Sequence, residues 1–139
     1  MRTFQPSSKD IKRSWHLVDA GSDVLGRIST RIAGLLMGKN KVYYSDNLDI
    51  GDFVVVINAA EVKLSGNKAK NKMYISHSGY PGGLKQVTFA KMTEKSPEKV
   101  IIHAVSGMLP DNRLKTKRLA RLKVFAGKDN PFKNKFEKQ

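Results

Sequence analysis

One stretch of the sequence decides the fold: Phe53-Val54-Val55-Val56-Ile57. Its five consecutive residues are all apolar and four of them are β-branched, so no alternate position is suited to water. Such a run predicts a strand that is buried on both faces, as in a sheet covered by helices.

The sequence before this strand predicts another strand and a helix. Residues 15–20 are mostly apolar and lead into a turn at 21–23. Apolar residues then recur at helical spacing until Gly38 ends the pattern. They are Leu25, Ile28, Ile32, Leu35 and Leu36. A strand, a helix and a buried strand in this order predict a βαβ unit with a mostly parallel sheet.

The sequence after this unit predicts further strands and helices. Residues 72–76 favour a strand, and the chain is predicted to turn helical after the glycine-rich residues 78–83. Ser96 supplies a helix cap, and Pro97 suits the first helical position. The other predicted elements are helices at 88–95 and 111–122 and a strand at 124–125.

Length and polarity divide the chain into a body with two extensions. A chain of 139 residues can bury one core but not two. We expect a polar N-terminal arm over residues 1–13, one α/β domain over 14–127 and an extended basic tail over 128–139.

Positive charge is distributed unevenly along the chain, whose formal net charge is +14. Residues 1–69 hold ten Lys/Arg and seven Asp/Glu, a net +3, whereas residues 70–139 hold sixteen and five, a net +11. Because like charges on a compact surface repel one another, an anionic partner would relieve that repulsion. Nucleic acid is the leading class of partner, since bound cations release the counterions that condense on phosphates. The alternative is an anionic membrane, but neither an amphipathic anchor nor a lipidation motif is evident.

Several classes of function lack the residues that they need. The chain has no cysteine, which excludes disulfides, thiol catalysis and cysteine-bound zinc. No apolar stretch approaches the roughly 20 residues of a membrane span, and the first residues contain no signal-peptide core. No catalytic arrangement can be assigned. We therefore expect a cytoplasmic protein that is not an enzyme and needs no cofactor, metal or small-molecule substrate.

The strongest local feature is a basic run between Asn112 and Lys128. It holds seven cations and no acid: Arg113, Lys115, Lys117, Arg118, Arg121, Lys123 and Lys128. Interspersed leucines supply an anchoring side, so several of the cations can face outward together. A solvated helix face usually interleaves both signs, so a run of one sign favours contact with phosphates.

The glycine-rich residues 78–85 are a second candidate. Their glycine spacing matches neither the Walker phosphate loop nor the dinucleotide fingerprint. A plain connecting turn and an RNA contact both remain open. In the second case Tyr80 would stack on a base, Lys85 would add charge and His77 would lie beside them.

Three acids spaced by three, Asp46, Asp49 and Asp52, raise the question of a metal site. Catalytic metal centres usually combine ligands from separate elements, whereas these acids share one turn-rich segment. Turn formation is therefore favoured, because Asp and Asn side chains bond their own backbone in turns.

The scattered histidines and the aromatic residues of the strands are assigned to the structure. His16 and His103 form no metal-spaced pair and are expected to be structural. Trp15 and Phe53 lie within apolar strands, so we expect core packing rather than base stacking.

In their order along the chain, these motifs resemble the bacterial form of the large-subunit ribosomal protein L13 family. The resemblance covers about residues 11–127. Its motifs are Trp15-His16-Leu17-Val18-Asp19-Ala20, Leu25-Gly26-Arg27, residues 51–59 (GDFVVVINA), residues 78–85 (SGYPGGLK), Gly107-Met108-Leu109-Pro110 and residues 122–127 (LKVFAG). Each motif is weak alone, whereas the ordered set is highly specific.

Two segments depart from the family's pattern. The family usually has a glycine soon after Met-Leu-Pro, near a Leu-Gly-Arg, whereas here Leu114 precedes Lys115-Thr116-Lys117. A His-Pro-His-like stretch near the end is replaced by Asn130-Pro131-Phe132.

The resemblance implies a single α/β domain with three α/β/α layers and a small, mostly parallel, mixed sheet. It also implies a structural constituent of the large ribosomal subunit, not an enzyme, that binds large-subunit rRNA and aids early subunit assembly. Neighbouring ribosomal proteins would be further partners. Some resembling proteins also bind messenger RNA, which adds it as a candidate partner.

We therefore expect RNA contacts from cations and from two rings at the glycine-rich loop. The expected residues are Lys12, Arg13, Arg27, Arg31, Lys39, Lys68, His77, Tyr80, Lys85, Arg113, Lys115, Lys117, Arg118, Arg121, Lys123 and Lys128. Two alternatives come from other classes. One is a metal-dependent nuclease that uses the acids at 46–52, and the other is a free regulator that binds messenger RNA away from the ribosome.

Overall fold

The computed structural model describes residues 6–7 and 9–136. Its strands are β1 (Trp15–Asp19), β2 (Phe53–Ile57), β3 (Met73–His77), β4 (Leu84–Thr88) and β5 (Leu122–Val124). Its helices are α1 (Leu25–Met37), α2 (Lys68–Asn71), α3 (Phe89–Lys95), α4 (Pro97–Met108), α5 (Leu114–Ala120) and α6 (Lys133–Phe136), with a 3-10 turn at Ala59–Glu61.

Strand β2 lies at the centre of a three-stranded sheet. The strand order is β1–β2–β5, and both neighbours run parallel to β2. Val54, Val55 and Val56 have no exposed surface, so the prediction of a strand buried on both faces is confirmed. Because α1 connects β1 to the parallel β2, the predicted βαβ unit is confirmed as well.

The main core lies between one face of this sheet and helices α1 and α4, which pack against each other. Ile32 and Leu36 of α1 are fully buried there, as are Val100, Ile101 and Val105 of α4. Helix α1 ends at Gly38, whose left-handed φ of 80° suits glycine. The end that the periodicity predicted for this helix is confirmed.

Aromatic residues from the C-terminal segment cover the other face of the sheet. The Trp15 ring stacks on Phe53, with 4.4 Å between centroids, and lies 5.2 Å from the Phe132 ring. Phe136 meets Trp15 edge-on at 6.5 Å. The expectation of an extended tail is therefore wrong for residues 133–136, because apolar contacts with Trp15 favour a helical turn there. Residues 1–5 and 8 of the predicted arm and residues 137–139 of the predicted tail lie outside the described residues.

Strands β3 and β4 form a separate antiparallel hairpin. Strand β3 confirms the strand predicted at 72–76, shifted by one residue. Strand β4 was not predicted, because the chain was expected to turn helical after residue 83. Its sequence, Leu-Lys-Gln-Val-Thr, lacks a clear apolar alternation, since most of its residues are exposed.

Smaller differences concern the ends of helices. Helix α5 is shorter than the helix predicted at 111–122, because β5 begins at Leu122. Ser96 occupies the N-cap position of α4 and Pro97 its first turn, but the Ser96 side chain makes no capping hydrogen bond. Within the described residues, no helix combines the length and the apolar character needed to cross a membrane.

Candidate RNA-contact surface

Asp49 is the anion around which three arginines gather. Arg121 donates hydrogen bonds of 2.5 Å to both carboxylate oxygens. Arg118 Nε lies 3.9 Å from Oδ1, and Arg13 Nη2 lies 3.9 Å from Oδ2 while donating to the Asp49 carbonyl at 3.0 Å. Arg118 and Arg121 expose only 1% and 7% of their surface. The cluster joins α5 and its C-terminal end to the N-terminal arm and to the loop before β2.

Asp52 forms a second buried cluster close to the first in sequence. Its carboxylate accepts hydrogen bonds from Lys41 Nζ at 2.5 Å and from the Ser14 backbone N–H at 3.0 Å. His16 Nε2 lies 3.0 Å from the other carboxylate oxygen. Lys41 also donates to the carbonyls of Lys12 and Ile50. The structural role predicted for His16 is confirmed.

The surroundings of both carboxyl groups lower their pKa. Burial alone would raise the pKa of Asp49, but the hydrogen bonds and charge of Arg121, with the charges of Arg13 and Arg118, outweigh it. At Asp52, burial is likewise outweighed by Lys41, the Ser14 amide and His16. Both residues are therefore charged in the folded protein at neutral pH.

These contacts change the interpretation of the acids at 46–52. Asp46 lies in a turn, is exposed and accepts a hydrogen bond from the Tyr44 hydroxyl. Asp49 and Asp52 lie outside the turns and bind cations from other segments, so the predicted turn role holds only for Asp46. Within the described residues, no group of three or more His, Cys, Asp or Glu side chains could hold a metal ion. The two buried carboxylates are already neutralised by arginine and lysine.

The basic run at 112–128 does not form a single outward face. Arg118 and Arg121 point inward to Asp49, so the expectation that they contact RNA conflicts with their burial, and we leave them out of the proposed surface. A pattern in the sequence could have indicated this. Arg118 lies four residues after Leu114 and four before Leu122, so it falls on the anchoring stripe of the helix.

Four other cations of the run are exposed: Arg113, Lys117, Lys123 and Lys128. Lys115 is half-buried, and its ammonium lies 2.5 Å from Asp111 one turn earlier. Lys123 pairs with Val55 in the sheet register, whereas Leu122 pairs with the core residue Val54. Because side chains alternate along a strand, Lys123 lies on the face of the sheet opposite the main core.

The structure brings together predicted residues from separate segments along α1. Arg27 and Lys68 line one groove with Gly26 and Thr30. Thr30 also lines a neighbouring groove that reaches Lys39. Arg31 is exposed one turn after Arg27. These four cations therefore border one side of α1 from its first turn to its end.

The glycine-rich loop connects β3 to β4, so it is a hairpin turn. The Gly83 N–H donates to the Tyr80 carbonyl at 2.9 Å, and the Gly79 N–H donates to His77 Nδ1 at 2.9 Å. A Cβ at Gly83 would lie 2.9 Å from the Tyr80 carbonyl oxygen, a backbone atom that cannot rotate away, so the turn favours glycine there. Tyr80 is 76% exposed at the tip. This geometry is compatible with both alternatives, so RNA contact by His77, Tyr80 and Lys85 stays a prediction.

Most of the predicted cations are exposed and lack an acidic partner. Among the residues that the structure describes, ten of them are exposed and form no ion pair: Lys12, Arg27, Arg31, Lys39, Lys68, Lys85, Arg113, Lys117, Lys123 and Lys128. Arg13 is exposed but shares Asp49. The buried acids neutralise the inward cations, and a strongly basic outer surface remains.

Fold and surface together define a small α/β protein with a basic exterior. Residues 13–131 match the family model described as Ribosomal protein L13. The chain belongs to the ribosomal protein L13 family. Members of this family are structural proteins and not enzymes, so the resemblance is confirmed and the nuclease alternative is set aside.

Similar proteins cover nearly the whole chain. The large ribosomal subunit protein uL13 of Streptomyces griseus is 48% identical over 131 residues, which is 94% of this chain and 89% of that protein. The uL13 proteins of Geobacter sulfurreducens and Syntrophotalea carbinolica are 50% and 51% identical, and each alignment covers 94% of this chain and 92% of the relative.

Proposed function

We propose that the protein is a structural constituent of the large ribosomal subunit that binds large-subunit rRNA and aids early subunit assembly. The observation that carries this proposal is the set of ten exposed cations without acidic partners, in a member of a ribosomal protein family. Neighbouring ribosomal proteins are expected as further partners, the cytoplasm as its location and residues 14–127 as its RNA-binding domain.

The proposed mechanism of binding is electrostatic and shape-based. Exposed arginines bind phosphates through paired N–H groups and lysines act as point charges. Phosphate and sugar contacts outnumber contacts to base edges, because the major groove of an RNA helix is deep and narrow. The proposed contact residues include Arg13 and Lys115. Asp49 and Asp111 neutralise part of their charge, so we expect these two to contribute less to binding.

The three-layer arrangement implied by the resemblance forms part of the same proposal. One outer layer would consist of helices α1 and α4, which pack on the main-core face of the sheet. The other outer layer would consist of helix α6, because its Phe136 ring meets the Trp15 ring of β1 on the opposite face. Packing on both faces would hold the sheet rigid between the basic segments.

A salt series tests the ionic mechanism with matched variants. Replacing Arg113 and Lys117 by Gln removes two unpaired cations, and we expect the slope of log affinity against log salt to fall by about 1.5. The control replaces Lys95 and Lys99 by Gln, because these are two exposed lysines outside the predicted set of RNA contacts. An affinity for rRNA that hardly changes with salt in the unmodified protein would contradict the proposal.

Sedimentation of a cell extract tests the location. We expect the protein to travel with the large ribosomal particle at moderate salt. A free regulator of messenger RNA would instead stay near the top of the gradient. Binding of messenger RNA by a protein that also sediments with the particle would support both roles.

A further inference from the structure

The β3–β4 hairpin carries an apolar surface that nothing in the described chain covers. Met73, Ile75 and Leu84 are 50%, 65% and 55% exposed. Exposed apolar side chains are common singly, whereas a group on one side of one element indicates a contact surface.

The strand register places these residues on one face. Met73 pairs with Thr88, Ile75 with Gln86 and His77 with Leu84, and directly paired residues share a face of a hairpin. We call these six residues the outer face. The opposite face packs on the domain, since Tyr74 meets the His103 ring of α4 edge-on at 5.3 Å between centroids.

The charge around the hairpin is of one sign. Residues 62–93 contain six lysines and no acid. Among the described residues, none of these six forms an ion pair. Lys72 directly precedes β3 and Lys85 lies within β4. Because a polyanion complements charge of one sign, the surroundings of the hairpin favour nucleic acid as the partner of this surface.

We propose that the outer face docks into the shallow minor groove of an RNA helix. This inference rests on the proposed rRNA binding and extends it to a surface whose contacts are largely not ionic. The minor groove of A-form RNA is wide, and it displays riboses and 2′-hydroxyls. Met73, Ile75 and Leu84 pack on ribose carbons, and His77, Gln86 and Thr88 exchange hydrogen bonds with 2′-hydroxyls.

The hairpin is held in shape before any partner arrives. Gly79 and Gly82 adopt left-handed φ values of 82° and 72°, and Ser78 N–H donates to the Gly83 carbonyl at 3.2 Å. A preformed surface loses less conformational entropy on binding. Because the outer residues are exposed, they can be replaced without opening the core.

The first test compares two pairs of exposed apolar residues. Ile75→Thr with Leu84→Thr alters the outer face, and Val42→Thr with Ile102→Thr is the control elsewhere on the surface. The probe is deproteinised large-subunit rRNA. We expect the hairpin pair to weaken binding about tenfold with an unchanged salt slope, and the control pair to bind like the unmodified protein.

The outcomes separate this inference from the proposed function. If the unmodified protein does not bind the rRNA, rRNA binding itself is wrong. If it binds and the hairpin pair binds equally well, only docking of the outer face is overturned.

A photo-crosslinking residue at position 75 provides a second measurement in an otherwise unmodified protein. Crosslinks to helical rRNA, with protection of riboses from chemical modification at the same nucleotides, support the proposal. Crosslinks to protein alone in the ribosomal particle would identify a protein partner and overturn it.

Discussion

The Asp49 carboxylate pairs with arginines from both ends of the chain. Arg121 binds both of its oxygens, and Arg118 and Arg13 approach from either side. A buried cation without its anion is expensive, whereas the intact pair need not add much net stability. The carboxylate therefore matters chiefly because it compensates the charge of the two arginines that the fold buries.

We predict that Asp49→Asn destabilises the protein by about 3 to 5 kcal/mol, because two buried guanidinium groups lose their anion. Urea unfolding followed by circular dichroism measures the change. The control is Asp46→Asn, which alters an exposed acid in the same segment. An unchanged unfolding midpoint in Asp49→Asn would show that the arginines need no charged partner.

Acid should destabilise the fold through the same carboxylates. The pKa values of Asp49 and Asp52 are lowered in the folded state, so their contribution is complete above the unfolded pKa of about 3.9. That contribution is lost as the pH falls through the lower, folded pKa values. We expect the free energy of unfolding to fall steeply below about pH 4, and less steeply in Asp52→Asn.

Gly51 allows the loop before β2 to touch the end of α1. A Cβ there would lie 1.7 Å from the Leu36 carbonyl oxygen, whereas a Cβ at Gly26 would meet no heavy atom within 4 Å. We predict that Gly51→Ala costs about 3 kcal/mol and that Gly26→Ala stabilises by about 0.5 kcal/mol. Thermal unfolding of the two variants tests the contrast, and equal melting temperatures would contradict it.

At the scale of elements, the C-terminal segment belongs with the sheet. Its aromatic rings contact Trp15 and Phe125. The sequence predicted a basic extension because lysines dominate there. Phe132 and Phe136 are the two phenylalanines of this segment, and their spacing does not by itself indicate which surface they contact.

We predict that Phe132→Ala lowers the free energy of unfolding by about 1 to 3 kcal/mol, because a half-buried ring leaves the Trp15 stack. Trp15 is the single tryptophan, so its fluorescence should shift to the red in the variant. Asn134→Ala changes an exposed residue of the adjoining helix α6 and serves as the control. If Phe132→Ala changes neither the free energy of unfolding nor the fluorescence, the result favours a domain that ends at residue 127.

The elements that were predicted well are those with a clear apolar period. Strand β2 is a continuous apolar run, and helix α1 has apolar residues at helical spacing. In both, residues close together in sequence form the buried surface. Strand β4 and the inward side of α5 were missed. In both elements few residues are buried. Some of the positions that face the domain hold polar or charged residues, so the sequence shows no clear apolar period there.

At the scale of the whole molecule, the net charge of +14 opposes the compact state when no anion is bound. Added salt shortens the screening length from about 30 Å at 0.01 M to about 10 Å at 0.1 M. We predict that the melting temperature of the RNA-free protein rises over this range, because surface repulsion is screened more than the buried pairs. A melting temperature that falls would mean that the ion pairs dominate.

The sequence by itself determined the α/β class, the central strand, the first helix, the excess of charge and the ordered motifs that resemble the family. These properties depend on composition or on residues a few positions apart. Only the tertiary structure decided which acid the inward cations meet. Arg121 and Asp49 are separated by 72 residues, and their pairing requires the packing of α5 and β5 on α1 and the sheet. A charge's partner is set by distance in space, which local periodicity does not contain.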